Sequence, residues 1–145
     1  MDECHTIMFL ALIDCLLFCS CCHAMDARLT VCFCFLASFS HSLLGTMVVP
    51  FPYILLPCLG IFLTLYFVSI ASTATRETAG HYLWFFLAHQ VCSLWGLYYW
   101  FVMEYNVIRA CVSAFFLFTA TAGALTSYRL GELLRGQQVF TSASV

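Results

Sequence analysis

The side chains best suited to chemistry in this sequence are soft metal ligands gathered in one short stretch. Five of the ten cysteines and one of the five histidines lie between positions 19 and 34. These residues are Cys19, Cys21, Cys22, His23, Cys32 and Cys34. Thiolates and imidazoles can bind Cu(I) or Zn, and thiols beside a membrane are acceptors for S-acylation. The spacing differs from a zinc module, however, and thiols within apolar runs behave as small hydrophobic side chains. Packing is therefore the favoured interpretation, and acylation and metal binding stay open.

A second candidate site consists of polar residues inside apolar segments. Asp14 interrupts the first apolar segment and His41 the second. If the two segments run antiparallel across a membrane, both residues lie at a similar depth, at ~1.5 Å of rise per residue. A charge at the bilayer centre costs at least ~2.5–3.5 kcal/mol, so it normally has a partner. We therefore predict an intramembrane pair of Asp14 and His41. His41 shares a polar helix face with Cys34, Ser38, Ser42 and Gly45, which we expect to face the bundle or a partner subunit.

A third candidate is a polar face on the fourth apolar segment. His89, Ser93 and Gly96 recur at helical spacing, with Gln90 beside them. Two histidines on two helices could hold a haem. Counted from the outer ends of the predicted spans, however, His89 lies about six residues deeper than His41, and a haem iron needs both ligands at one depth. We therefore predict hydrogen-bonded packing for both histidines. No cofactor is expected, and haem, copper or zinc are minor alternatives.

The composition fixes the environment of these residues. The 145-residue chain is 63% hydrophobic and 8% charged, with a mean hydropathy of +0.98. Soluble domains carry about 25% charged residues, so the solvent of this chain is expected to be lipid. Backbone groups in lipid need internal partners, and unbroken apolar runs favour helices over barrel strands. The chain contains no lysine and has a net charge of −2, which argues against a nucleic-acid partner.

The apolar runs predict an all-α polytopic transmembrane bundle of five spans with very short loops; a four-span bundle in which the first apolar segment is peripheral is the alternative. We expect one transmembrane domain, 1–145, with spans near 5–25, 29–49, 53–74, 81–103 and 107–128 and a short polar tail, 129–145. Each span has close to the ~20 residues needed to cross a bilayer. This threading places four arginines on one side and only Arg109 on the other. The positive-inside rule then predicts an outer N-terminus and an inner C-terminus. Glu104 and Arg109 are expected to form an interfacial ion pair at the outer end.

The sequence contains no nucleophile–base pair, phosphate-binding glycine loop or paired carboxylates. The favoured function is therefore a non-catalytic structural or accessory subunit of a membrane complex. Its expected partners are the lipid bilayer and either other membrane subunits or further copies of itself. The alternative is a small proton or metal-ion transporter or channel component that uses Asp14, His41 and His89. A haem- or metal-binding redox subunit is the third hypothesis.

Overall fold

The fold consists of helices joined by short turns. The computed structural model of the protein describes residues 27–49 and 52–143, and at residues 72 and 137–143 it describes the backbone alone. These ranges contain four α-helices: α1 (Ala27–Val48), α2 (Leu55–Ile70), α3 (Arg76–Tyr98) and α4 (Val107–Ala143). A 3₁₀ turn, Ala71–Thr73, extends α2, and a π turn, Tyr99–Met103, extends α3. Because these ranges contain no strand, the predicted all-α class is confirmed for them. The predicted first span, 5–25, lies outside the described residues.

Helix α3 begins five residues earlier than the sequence analysis placed its span. Residues 72–78 are rich in threonine and charge, which suggested a loop, but two of the threonines start a helix. The Thr75 hydroxyl accepts a hydrogen bond from the Thr78 N–H at 3.4 Å, and the Thr78 hydroxyl accepts one from the Thr75 N–H at 2.7 Å. This reciprocal capping box satisfies two backbone donors at the helix start. The helix therefore begins at Arg76.

Helix α4 also differs from the expectation, because it continues well past the predicted boundary at Tyr128. The charged residues that follow were expected to form a polar tail. Instead they lie on the outer face of a continuing helix, where Arg135 pairs with Glu132 at 3.6 Å. Leu130, on the inner face, is buried. The segment 129–143 is therefore helical because its pattern is amphipathic and contains no proline.

The first two helices form an antiparallel hairpin. A Cβ atom added at Gly45 would lie 3.0 Å from the Pro57 Cβ. Further along, the Phe35 and Phe67 rings pack at 5.6 Å. Later residues of α1 therefore meet earlier residues of α2, and the small Gly45 allows the close approach.

Helices α3 and α4 form a second antiparallel hairpin. A Cβ atom added at Gly96 would lie 3.1 Å from the Ser113 Oγ, and one added at Gly123 would lie 2.6 Å from the Phe86 ring. At both glycines the neighbouring helix leaves little room for a side chain. Small residues at such positions are typical of tightly packed membrane helices.

An aromatic cluster joins the two hairpins. Phe35 of α1 is fully buried, stacks on Phe86 at 4.8 Å and meets Tyr82 edge-on at 5.0 Å. Phe86 and Tyr82 both belong to α3. Since Ser42 and His89, later in the same two helices, also meet, α1 and α3 run in the same direction. The four described helices thus alternate up, down, up and down.

The surface of the described bundle carries many large apolar side chains, and its interior contains several hydroxyl groups. The buried polar residues are Ser38, Ser42, Thr64, Ser93, Ser113, Thr119 and Ser127. Large apolar side chains lie on the outside of every helix, and on α3 Trp84, Val91 and Trp95 are 72%, 69% and 66% exposed. The interior of the bundle is therefore partly polar and its surface is mostly apolar.

Two of the described helical segments, Ala27–Val48 and Val107–Gly136, are long and apolar enough to cross a membrane. Less than half of an apolar 18-residue stretch in each is buried inside the bundle, 44% and 39%. Five spans are expected from the sequence. Helix α2 has only 16 residues. Helix α3 has 23 residues, but His89, Gln90 and its tyrosines and tryptophans lower its mean hydropathy. Within residues 27–49 and 52–143, two helices are thus long and apolar enough to cross a membrane.

Candidate functional site

The candidate site lies where the two polar helix faces meet at the centre of the bundle. The imidazole rings of His41 and His89 approach edge to face, with their centroids 5.8 Å apart. The prediction that the two histidines lie at different depths is therefore wrong. The two helices run parallel, with His41 the fifteenth residue of α1 and His89 the fourteenth of α3. The error came from counting from the outer ends, because the predicted span ran to residue 103 and so included the π turn, Tyr99–Met103, whereas α3 ends at Tyr98.

His89 is held by hydrogen bonds to its own helix and to α1. Its Nδ1 lies 3.3 Å from the Phe85 carbonyl oxygen, and its Nε2 lies 3.4 Å from the Ser42 Oγ. The ring also has a backbone hydrogen bond to Ser38 of α1. Carbonyls only accept and a neutral imidazole has one N–H, so the direction of the Ser42 contact depends on which carbonyl that N–H serves. The Phe85 ring packs against the imidazole at 4.3 Å and closes that side.

His41 makes the reciprocal contact from α1 to α3. Its Nδ1 lies 3.5 Å from the Oγ of Ser93, which is fully buried. Its ring stacks on Phe116 of α4 at 4.5 Å, with only 15° between the planes. Each histidine thus pairs with a serine on the other helix. The two crossed pairs, His41–Ser93 and His89–Ser42, are called the serine–histidine clasp below.

Gly60 of α2 is a site residue that the sequence analysis missed. A Cβ atom added there would collide with the Ser42 Oγ and lie 3.9 Å from the His89 Cε1. The glycine therefore lets α2 close over the clasp. A glycine amid large apolar residues in a membrane helix often marks a close helix contact, and that signal could have indicated this position.

Gln90 extends the polar interior towards α4. Its side-chain amide donates to the Thr121 Oγ1 at 2.8 Å, and the Thr121 hydroxyl donates to the Leu117 carbonyl at 2.8 Å. With Ser93 and His89, Gln90 forms the polar face that the sequence analysis singled out, and all three contact another helix. Each of these three residues therefore has at least one side-chain hydrogen bond to another helix.

The cysteine-rich stretch is described only at its end. Cys32 is half-buried, and Cys34 is fully buried in the core beside Phe35. This burial fits the packing interpretation of Cys34 and leaves its thiol inaccessible to acylation in the folded bundle. Cys19, Cys21, Cys22 and His23 lie outside the described residues. So does Asp14, and its pairing with His41 stays a prediction.

The residues of the predicted interfacial ion pair lie at the turn between α3 and α4. Tyr99 donates a hydrogen bond to Glu104 at 3.0 Å, and the Arg109 guanidinium lies over the Trp100 ring, 4.6 Å from its centroid. The side chain of Asn106 accepts from the Arg109 N–H at 3.1 Å and caps α4. Both charged residues thus have aromatic neighbours, and their direct pairing stays a prediction.

The site offers two imidazoles and several hydroxyls in a mostly apolar interior, a set suited to binding a cation or to joining helices. No group of three or more His, Cys, Asp or Glu side chains able to hold a metal ion occurs in the described part of the chain. Comparisons with protein-family models, curated proteins and solved structures find no match.

Proposed function

We propose that this chain is a non-catalytic integral membrane protein that acts as a structural or accessory subunit of a membrane complex. The observation that carries the proposal is the distribution of side chains, with large apolar residues exposed on every described helix and several serines and threonines buried between the helices. In water, exposed apolar patches larger than a few hundred Å² are rare. In lipid, exposed apolar side chains carry no free-energy penalty. Hydrogen bonds between buried polar side chains can then join the helices.

The subunit role is supported by the outer face of α2. This helix packs along one side against α1. Its other side faces away from the described bundle. That side carries Leu55, Leu59, Phe62 and Tyr66, each more than half exposed. The turns between the described helices are too short to form a soluble domain. Contacts within the membrane, with another subunit or a second copy, are therefore the role that suits this chain.

The finer topology is part of the same proposal. We propose one transmembrane domain of five spans, with the N-terminus outside and the C-terminus inside. The alternation of the described helices supports this orientation, because it brings Arg28, Arg76, Arg129 and Arg135 to one end of the bundle. Glu104 and Arg109 lie at the other end. The inner face of a membrane protein carries the excess of arginine and lysine.

Site-specific photo-crosslinking in native membranes tests the subunit role. A photoreactive side chain at Phe62, on the outer face of α2, is expected to capture a second protein subunit. The matched control is Tyr105, which is 82% exposed at the α3–α4 turn, where no protein adduct is expected. If Phe62 yields only lipid adducts, and native mass spectrometry of the mildly solubilised protein gives a monomer, the subunit role is wrong.

A second candidate function is favoured by the meeting of the two histidines. Imidazoles that contact each other inside a membrane bundle could form part of a path for protons or metal ions. This hypothesis predicts ion flux into liposomes that His41→Ala abolishes. The exposed His81 of α3 is the control, and its alanine variant should leave the flux unchanged. The absence of flux through the unaltered protein would remove the hypothesis.

A further inference from the structure

We propose that the turn between α3 and α4 binds the headgroup of a zwitterionic phospholipid, with the Arg109 guanidinium at its phosphate and the Glu104 carboxylate at its ammonium group. The inference rests on the membrane location proposed above but not on the subunit role, because it concerns a lipid at one end of the bundle. It is carried by the contacts that hold the two charged side chains, by the balance of charge at this end and by the backbone of the turn.

The two charged side chains belong to one continuous surface, linked by two aromatic residues. The Tyr99 hydroxyl donates to Glu104 at 3.0 Å, and the Arg109 guanidinium lies over the Trp100 ring, 4.6 Å from its centroid. The Tyr99 and Trp100 rings meet edge to face, with their centroids 5.0 Å apart. Glu104 and Tyr99 are exposed, and Trp100 and Arg109 are half-buried. A negative and a positive group are therefore presented together, each in contact with one ring of an aromatic pair.

The chemistry of these groups suits the two charges of such a headgroup. A guanidinium has five N–H donors in its own plane, in a fork that matches a phosphate. Contact of one guanidinium face with the Trp100 ring therefore orients Arg109 without blocking its N–H groups. The Glu104 carboxylate attracts an ammonium group, and the Tyr99 ring beside it adds the attraction of an aromatic face for a cation. A bound headgroup would take the place of a direct pair between Glu104 and Arg109.

The balance of charge at this end distinguishes the expected lipid from an anionic one. Glu104 and Arg109 are the charged residues that the structure describes here, so their formal charges cancel. The opposite end of the described bundle has an excess of positive charge, from Arg28, Arg76, Arg129 and Arg135 against Glu77 and Glu132. An anionic headgroup without an amine suits that end, because at the turn its charge would meet Glu104 with no ammonium group to offset it. The tyrosines and the tryptophan of the turn are residues typical of headgroup depth.

The backbone of the turn fixes the positions of these side chains. The Glu104 N–H donates to the Tyr99 carbonyl at 3.1 Å, and the Asn106 N–H donates to the Trp100 carbonyl at 2.7 Å. Tyr105 has a φ of 51°, a left-handed conformation that is uncommon outside glycine. Both π turns and residues in sparsely populated conformations are frequent at functional sites. The turn therefore holds its charged and aromatic side chains in an arrangement prepared for a ligand.

The test is native mass spectrometry of the full chain, reconstituted in nanodiscs with equal amounts of phosphatidylcholine and phosphatidylglycerol that carry the same acyl chains. The readout is the ratio of the two lipids that stay bound after release from the nanodisc. Glu104→Gln should lower the ratio of phosphatidylcholine to phosphatidylglycerol ~1.5- to 5-fold, the range expected for one exposed ion pair. The matched control is Glu77→Gln, which removes the same charge at the exposed start of α3 and should leave the ratio unchanged.

A further variant separates headgroup binding from a general effect of charge. Trp100→Leu keeps the net charge but removes the ring that orients Arg109, so the retained phosphatidylcholine should fall by a similar factor. Circular dichroism verifies that each variant is helical. Equal ratios for the unaltered protein, Glu104→Gln and Glu77→Gln, or a protein adduct at Tyr105 in the crosslinking experiment, would overturn the proposal. A chain that does not enter nanodiscs would contradict the membrane location as well, whereas crosslinking at Phe62 tests the subunit role separately.

Discussion

The tight contact between Gly123 of α4 and the Phe86 ring of α3 predicts how much stability a substitution there would cost. A methyl group at Gly123 would lie 2.6 Å from two carbons of the Phe86 ring, well inside van der Waals contact. Phe86 cannot move aside easily, because it is fully buried and stacks on Phe35. Overpacking of this kind costs about 1–3 kcal/mol. The Gly123→Ala variant should lose that amount of helix-packing free energy.

Alanine also stabilises a helix by about 0.8–1.0 kcal/mol relative to glycine, so the comparison needs a matched control. A Cβ atom at Gly80 of α3 would meet nothing within 4 Å, and one at Gly131 of α4 would lie 3.7 Å from the Ala79 Cβ, an ordinary contact. Gly80→Ala and Gly131→Ala should therefore be neutral or stabilising. The difference between Gly123→Ala and these controls isolates the overpacking cost.

The assay is unfolding of the detergent-solubilised protein in rising sodium dodecyl sulfate, followed by circular dichroism. The expected order of stability places Gly123→Ala lowest, by about 1–3 kcal/mol relative to Gly80→Ala. If Gly123→Ala proved as stable as Gly80→Ala, Gly123 would not face Phe86. The register of α3 against α4 would then be wrong, and with it the contact of Gln90 with Thr121.

The same assay tests three further predictions. Thr75→Ala removes the capping box formed with Thr78 and should destabilise the protein by about 1 kcal/mol; no loss would argue against a start of α3 at Arg76. Gln90→Leu breaks the hydrogen bond to Thr121 and should cost about 0.6 kcal/mol, the average for such bonds between membrane helices. Thr121→Val should give a similar loss of stability, and the double variant should lose little more than either single variant. Ser127→Ala should cost nothing, because the Ser127 Oγ is buried without a hydrogen-bond partner among the described residues and its removal ends an unsatisfied polar group. A loss of about 1 kcal/mol would contradict this prediction.

The sequence predicted the helical class well because long apolar runs allow few alternatives. It predicted helix boundaries less well where local chemistry competes with hydropathy. The threonines at 75 and 78 look like loop residues, yet their hydroxyls cap α3. The residues after Tyr128 look like a tail, yet Leu130 keeps the amphipathic pattern and the helix continues.

The candidate site shows the same limit. Helical spacing indicated that Ser93 and His89 share a face, and the structure turns that face inward. Spacing along one helix could not show that His41 meets His89, because this contact depends on how two non-adjacent helices align. Gly60 was missed for the same reason, since its role depends on Ser42 across the α1–α2 contact.

The most direct test of the central claim, that the exposed apolar surface faces lipid, is the reactivity of Cys92. This thiol is exposed on the outer face of α3, between Val91 and Trp95. In membranes opened to both sides, a variant with Cys92 as its only cysteine is treated with a membrane-impermeant maleimide. The control is Tyr105→Cys in the same background, at the exposed α3–α4 turn. We predict rapid labelling at 105 and labelling of Cys92 only after denaturation, because a thiol needs water to ionise and react. Labelling of Cys92 as fast as position 105 would contradict the account, because it would place the outer face of α3 in water.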